Sequence, residues 1–174
     1  CSSREFDHDF LKEKGLRLVG APVLVPALQK LPTGERIELL DGLLELGLIR
    51  RLRPSAFAAQ LKLKLGEQYQ DYFRDGRVVI PVYGSDRQGS KIVGFAGRLL
   101  ADSPDGAVAK YMLTPGFKKS NYLFNAESAF PKVVEELKNG QPSTLYLVEG
   151  FLDALRLEAL GQKAVALMGT SLGE

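Results

Sequence analysis

Two short apolar runs, Thr144-Leu145-Tyr146-Leu147-Val148 and Ala164-Val165-Ala166-Leu167-Met168, bracket a stretch with helical periodicity. Five-residue runs of this kind have the length of strands, whereas Phe151 to Leu160 sets Leu152, Leu155 and Ala159 on one helical face. A crossover of this length suits parallel strands, so the segment reads as a βαβ unit: two buried, neighbouring, parallel strands joined by a right-handed connection. A parallel sheet needs cover on both faces, which commits this part of the chain to an α/β architecture.

The preceding residues follow another pattern. Phe6, Phe10 and Leu11 give Arg4 to Lys14 a helical spacing, closed by Gly15. Pro22, Pro26 and Pro32 then cut Ala21 to Gly34 into loop and one helical turn. Glu35 to Leu46 repeats Ile37, Leu39, Leu40, Leu43 and Leu44 with helical period and ends at Gly47, and a further helix is expected from Pro54 to about Leu65. At Gly76 the pattern changes. Arg77 to Tyr83 and Lys91 to Leu100 are strand-like runs around the polar turn Gly84 to Ser90, and Pro81 predicts an edge or a bulge. Ala101 to Ala107 reads as loop, Val108 to Leu113 as a third strand and Thr114 to Asn121 as loop; Asn125 to Lys138 reads as a helix in which Pro131 marks a start or a kink. The expected organisation is a mixed α+β lobe over residues 1–142, then the βαβ segment over residues 143–174.

With 45% hydrophobic and 25% charged residues, the 174-residue chain has the make-up of a soluble globular protein. It lacks the run of about 18 apolar residues that a membrane helix needs, and Arg4, Glu5, Asp7 and Asp9 do not open a signal peptide, so a cytoplasmic location without membrane partners is expected. One Cys and one His, Cys1 and His8, exclude a disulfide or a zinc site built within these residues. A net charge of +2 does not announce nucleic-acid binding, and the local clusters Arg50-Arg51-Arg53, Lys62 with Lys64, and Lys118-Lys119 read first as solvated faces.

Chemistry in open α/β sheets gathers beyond the carboxyl ends of parallel strands. Glu149 stands there, directly after the first strand of the βαβ unit, and Asp153 follows in the first helical turn. A carboxylate at a strand end can bind a cation or exchange a proton, while an acid in a first turn is also what the helix dipole favours. The second strand leads into Gly169-Thr170-Ser171, either an anion-binding corner or a capping box from Ser171 to Glu174.

These residues carry a resemblance. Val148-Glu149-Gly150-Phe151-Leu152-Asp153, with Ala166-Leu167-Met168-Gly169-Thr170-Ser171-Leu172, resembles the opening of the Toprim fold as found in bacterial DnaG-type primases. Toprim folds also occur in topoisomerases, repair proteins and nucleases. Arg77 to Val82, Ile92 to Arg98, Lys110-Tyr111 with Thr114-Pro115, and Phe117-Lys118-Lys119 before Leu123-Phe124 resemble, in that order, the N-terminal subdomain of the primase RNA polymerase core. Phe10 to Gly15 and Leu43 to Leu48 are similar to that subdomain's first helices.

The resemblance implies part of an enzyme that makes short RNA primers on single-stranded DNA during replication, taking ribonucleoside triphosphates. It implies that Glu149 helps build the catalytic site with Mg2+ or Mn2+, with Asp153 as a possible second carboxylate. Arg98, Lys110, and Lys118 or Lys119 would line a groove for template or nucleotide, with Tyr111 beside them. Ala96 stands where the family often has glycine. The family's aspartate cluster, its N-terminal zinc ribbon and its helicase-binding region are not among these residues, so zinc and a replicative helicase are expected only through other parts of a longer protein, and this piece alone is expected to be inactive. The rival expectations are a non-catalytic nucleic-acid-binding module of a mobile element and another Toprim enzyme such as a nuclease.

Overall fold

The computed structural model describes residues 6–52, 62–74, 76–86, 89–101 and 108–168. Cys1, Arg53, most of the helix expected from Pro54, the tip of the turn at Arg87-Gln88, most of the 101–107 loop and the Gly169-Thr170-Ser171 corner lie outside the described residues. The chain forms two compact units. A sheet unit comprises Leu16–Ile80 and Gly94–Gly116, and a crossover unit comprises Cys1–Gly15, Pro81–Val93 and Phe117–Glu174.

The sheet unit opens with β1 (Arg17–Val19), α2 (Leu24–Gln29) and α3 (Thr33–Glu45); α1 (His8–Glu13), before them, belongs to the crossover unit. Next come β2 (Ile49–Arg51), a single turn α4 (Leu65–Gln68) and β3 (Tyr69–Asp71), with β2 and β3 antiparallel. Val25, Leu28, Ile49 and Tyr69 form a buried cluster against which Leu24, Leu31, Leu40, Leu43, Leu44 and Leu65 pack. Leu40, Leu43 and Leu44 thus lie on the core face that periodicity predicted for α3, whereas Ile37 and Leu39 are exposed. The three-residue strands β1, β2 and β3 are absent from the sequence expectation because a stretch this short shows no period.

β4 (Arg77–Asp86) and β5 (Gly89–Leu99) run through the hairpin region and continue closer to its tip than the expected turn at Gly84 to Ser90 allowed. With β6 (Tyr111–Leu113) they form a four-stranded sheet in the order β1-β4-β5-β6. β4 is therefore an inner strand, but β1 pairs with it only over Arg77 to Val79. Pro81 falls beyond that ladder, where a missing donor costs no β1 pairing. β6 is half the expected length.

In the crossover unit, α1 starts at His8 because the Asp7 carboxylate accepts the amides of Asp9 and Phe10, at 2.7 and 3.1 Å. These bonds hold the exposed Asp7 carboxyl below the usual range. After a 3-10 turn at Lys119–Asn121 comes α5 (Ala126–Lys138), which runs through Pro131, so the proline sits inside the helix and is not its start. β7 (Tyr146–Val148), α6 (Phe151–Ala159) and β8 (Ala164–Ala166) form the βαβ unit, its strands parallel with Leu147 opposite Val165. β8 is fully buried and is bridged on its other side by Phe124. The expected burial of β7 does not hold: Tyr146 and Leu147 are exposed, because none of the described residues packs closely enough over these side chains to bury them. The buried face of α6 is Phe151, Ala154 and Leu155, and Ala159 is exposed. No described helix is long and apolar enough to cross a membrane.

Candidate nucleic-acid interface and carboxylate site

At the end of β5, Arg98 lies opposite Tyr111, the first residue of β6. Its guanidinium carbon is 5.6 Å from the tyrosine ring centroid, a cation–π arrangement. Lys110 is exposed beside them, its carbonyl accepting the Leu99 amide at 2.9 Å. The structure therefore brings Arg98, Lys110 and Tyr111 together on one antiparallel pair. Tyr111 is half-buried and carries Arg98 on its ring, so its first partner is the guanidinium.

This corner is shaped by Arg77, which is 1% exposed. Its Nη2 donates to the Ala109 carbonyl at 2.8 Å, and its Nη1 donates to the carbonyls of Gly97 at 3.1 Å and Lys110 at 3.4 Å. A side chain on Gly97 would run into the Phe73 ring and begin 3.3 Å from Arg77 Cδ, so glycine makes room for both. In the sequence Arg77 marks only the start of a strand, because an arginine satisfied by main-chain carbonyls leaves no pattern of partner side chains.

Asp71 was missed for the same reason. It is 2% exposed and accepts three amides that open α2: Val23 and Leu24 at 2.6 and 2.8 Å, and Val25 at 2.9 Å. Of the expected basic clusters, Arg50 donates twice to Gln70, and Arg51 lies over Tyr69 at 5.4 Å. Lys62 and Lys64 are exposed. Lys118 and Lys119 lie in the crossover unit, exposed at the 3-10 turn, next to a stacked pair of Phe117 and Tyr122 with centroids 5.5 Å apart.

Glu149 is exposed directly after β7, where a strand-end carboxylate was expected. Asp153 is exposed too, but one of its carboxylate oxygens lies 2.7 Å from where a Gly150 side chain would begin. Its carboxylate is thus folded back over the start of α6, the placement the helix N-terminus favours. No three His, Cys, Asp or Glu side chains gather to hold a metal among the described residues. Glu149 and Asp153 alone do not fit a divalent-metal site, and no catalytic step through a metal follows from them.

A second group of charges was not anticipated. Lys14 Nζ is 2.5 Å from Glu158 Oε1 and 3.3 Å from Ser128 Oγ, and Ser128 also donates to Glu158. Lys132 approaches the same carboxylate at 3.6 Å. Burial pushes the Glu158 carboxyl up, but the bonds from Lys14 and Ser128 and the two lysine charges outweigh it and hold the group below its usual range. Nearby Glu127 shifts upward, chiefly through burial, and its Oε2 has no hydrogen-bond partner. Glu127, Lys14, Ser128 and Tyr83 line a cavity of about 220 Å³. On the far end of α5, Glu136 is held low by Lys163, 2.6 Å away.

Residues 52–130 match the family described as the DNA primase catalytic core, N-terminal domain. The chain is 35% identical over 118 residues, or 66% of its length, to the DNA primase of Clostridium acetobutylicum, of which it covers 17%. It is also 35% identical over 111 residues, or 61% of its length, to the DNA primase of Escherichia coli, of which it covers 16%. The chain thus spans about a sixth of these relatives. Among solved structures, the zinc-binding and RNA polymerase domains of Aquifex aeolicus primase match 98% of this chain and 36% of that one, with a TM-score of 0.63 and 25% identity. A DnaG catalytic core shares the fold with a TM-score of 0.57 at 22% identity, over 95% of this chain and 44% of that one. The ordered motifs, the α/β fold and these likenesses agree in one respect: the chain is similar to a segment of the catalytic core of bacterial DnaG-type primases.

Proposed function

We propose that the complete protein synthesises short RNA primers on single-stranded DNA from ribonucleoside triphosphates, and that this segment supplies a phosphate-binding surface and one carboxylate of the active site. The carrying observation is the set of Arg98, Tyr111 and Lys110 on β5 and β6, inside the residues that match the primase core family. An arginine on an aromatic ring with an exposed lysine next in the chain suits a nucleic-acid backbone, because phosphates reward Lys and Arg without base readout and rings accept stacked bases or riboses. Lys118 and Lys119, in the crossover unit, are separate candidates for phosphate contact. Residues 1–142 would be the N-terminal subdomain of the core and residues 143–174 the start of its Toprim subdomain.

In this reading Glu149 is a catalytic carboxylate, working in the cytoplasm with Mg2+ or Mn2+ held by further carboxylates of the complete protein. Asp153 serves the start of α6 first. The test is magnesium-dependent incorporation of labelled ribonucleotides on single-stranded DNA by the full-length protein. Glu149→Gln should lower synthesis by about 100-fold or more, the scale of a lost acid–base or charge-stabilising group, with DNA binding kept. Synthesis comparable to the unaltered protein would remove Glu149 from that role.

A further inference from the structure

Arg77 is the one fully buried arginine among the described residues, and the interface reading gives it no contact with nucleic acid. Its guanidinium instead ties two segments that are distant in sequence, through the carbonyl of Gly97, next to Arg98, and the consecutive carbonyls of Ala109 and Lys110, next to Tyr111. The Lys110 carbonyl also receives the Leu99 amide, so it is fixed from both sides. A planar fork with several donors can bridge carbonyls in this way, whereas an ammonium is a point donor on a flexible stem. An apolar side chain of similar volume would fill the space without the desolvation that a buried cation carries, so the guanidinium serves the placement of those carbonyls.

We propose that Arg77 is a positioning residue for the phosphate-binding surface, setting the backbone at residues 109 and 110 so that Tyr111 stays opposite Arg98 and Lys110 stays at the entry to that pair. This rests on the reading of Arg98 and Lys110 as phosphate contacts. Arg77 touches neither template nor nucleotide. It acts by keeping the two cations in register, so that one DNA backbone can meet both.

The test uses full-length protein with Arg77→Lys, Arg98→Ala and Lys110→Ala. For each, single-stranded DNA affinity is measured against salt concentration, KM for template is separated from kcat, and thermal unfolding gives the folded fraction. Arg77→Lys should weaken DNA binding roughly 5- to 10-fold per folded molecule and lower the salt slope by about 1, as for one lost phosphate contact. KM for template should rise while kcat stays near its original value. Added to Lys110→Ala, the change should weaken binding no further. Binding unchanged in Arg77→Lys, with Arg98→Ala and Lys110→Ala still defective, overturns the positioning role and leaves the surface intact. Binding unchanged in Arg98→Ala and Lys110→Ala overturns the surface itself. Should Arg77→Lys not fold, backbone order parameters of the unaltered protein decide: Ala109 and Lys110 should be as rigid as β5, near about 0.85, and values below about 0.6 overturn the proposal.

Discussion

The two units satisfy charged side chains in opposite ways. In the sheet unit, Arg77 ends on three carbonyls and Asp71 on three amides, so each buried ion is answered by main-chain dipoles. In the crossover unit, side chain answers side chain: Lys14 and Lys132 meet Glu158, and Lys163 meets Glu136. An ion held by backbone fixes the path of the chain, because moving any one segment breaks a bond to it. An ion held by another side chain fixes only a distance, and its strength follows the protonation of the carboxylate. The first arrangement suits a surface whose geometry matters; the second makes stability responsive to pH.

The largest expected effect tests the backbone side of the contrast. Asp71→Ala leaves the three amides at the start of α2 without their buried carboxylate and should cost about 4 kcal/mol, the scale for removing one partner of a buried charged network, read by urea unfolding. A cost below about 1 kcal/mol would mean that water replaces the carboxylate easily and would break the contrast. Next comes Lys14→Met, which leaves Glu158 without its nearest cation and should cost about 3 kcal/mol at neutral pH. The folded-state carboxyl is held low, so this stabilisation is present above the ordinary glutamate value of about 4.3 and is lost as pH falls through the lower folded value. The stability gap between the two proteins should therefore close on acidification. A gap independent of pH would remove the ion pair as its cause.

The smallest effect has the opposite sign. Glu127 is held above its ordinary value, so its charge begins to destabilise the fold as pH rises past about 4.3, fully so above the folded value. Glu127→Gln should then raise the melting temperature at neutral pH by the equivalent of less than about 1 kcal/mol, since the site is partly open to solvent. Below pH of about 4 it should change nothing. A loss of stability at neutral pH would show that the charged form is paired.

What could be read in advance follows from the range of the interactions. The β7-α6-β8 segment and the β4-β5 hairpin were legible because apolar spacing and turn residues are local. On α6 the expected face of Leu152, Leu155 and Ala159 holds at Leu155 alone: the buried face is Phe151, Ala154 and Leu155, and several apolar stripes compete on so short a helix. Exposure of β7 could not be inferred from its composition, since Tyr146 and Leu147 would be apolar whatever covers them. Among site residues, Glu149 was visible from its place at a strand end, and Arg98 with Tyr111 from the family motif. Arg77 and Asp71 were not, because their partners are carbonyls and amides, groups that every residue carries.

The division of the chain also bears on how such a fold can be altered by recombination. The polypeptide passes between the two units four times, at 15/16, 80/81, 93/94 and 116/117, and two of these passages fall within the long strands β4 and β5. Neither unit is a contiguous cassette. A single genetic crossover within residues 16–116 would join part of the sheet unit to a foreign remainder, so an exchange that keeps a unit whole has to carry more than one stretch of the chain.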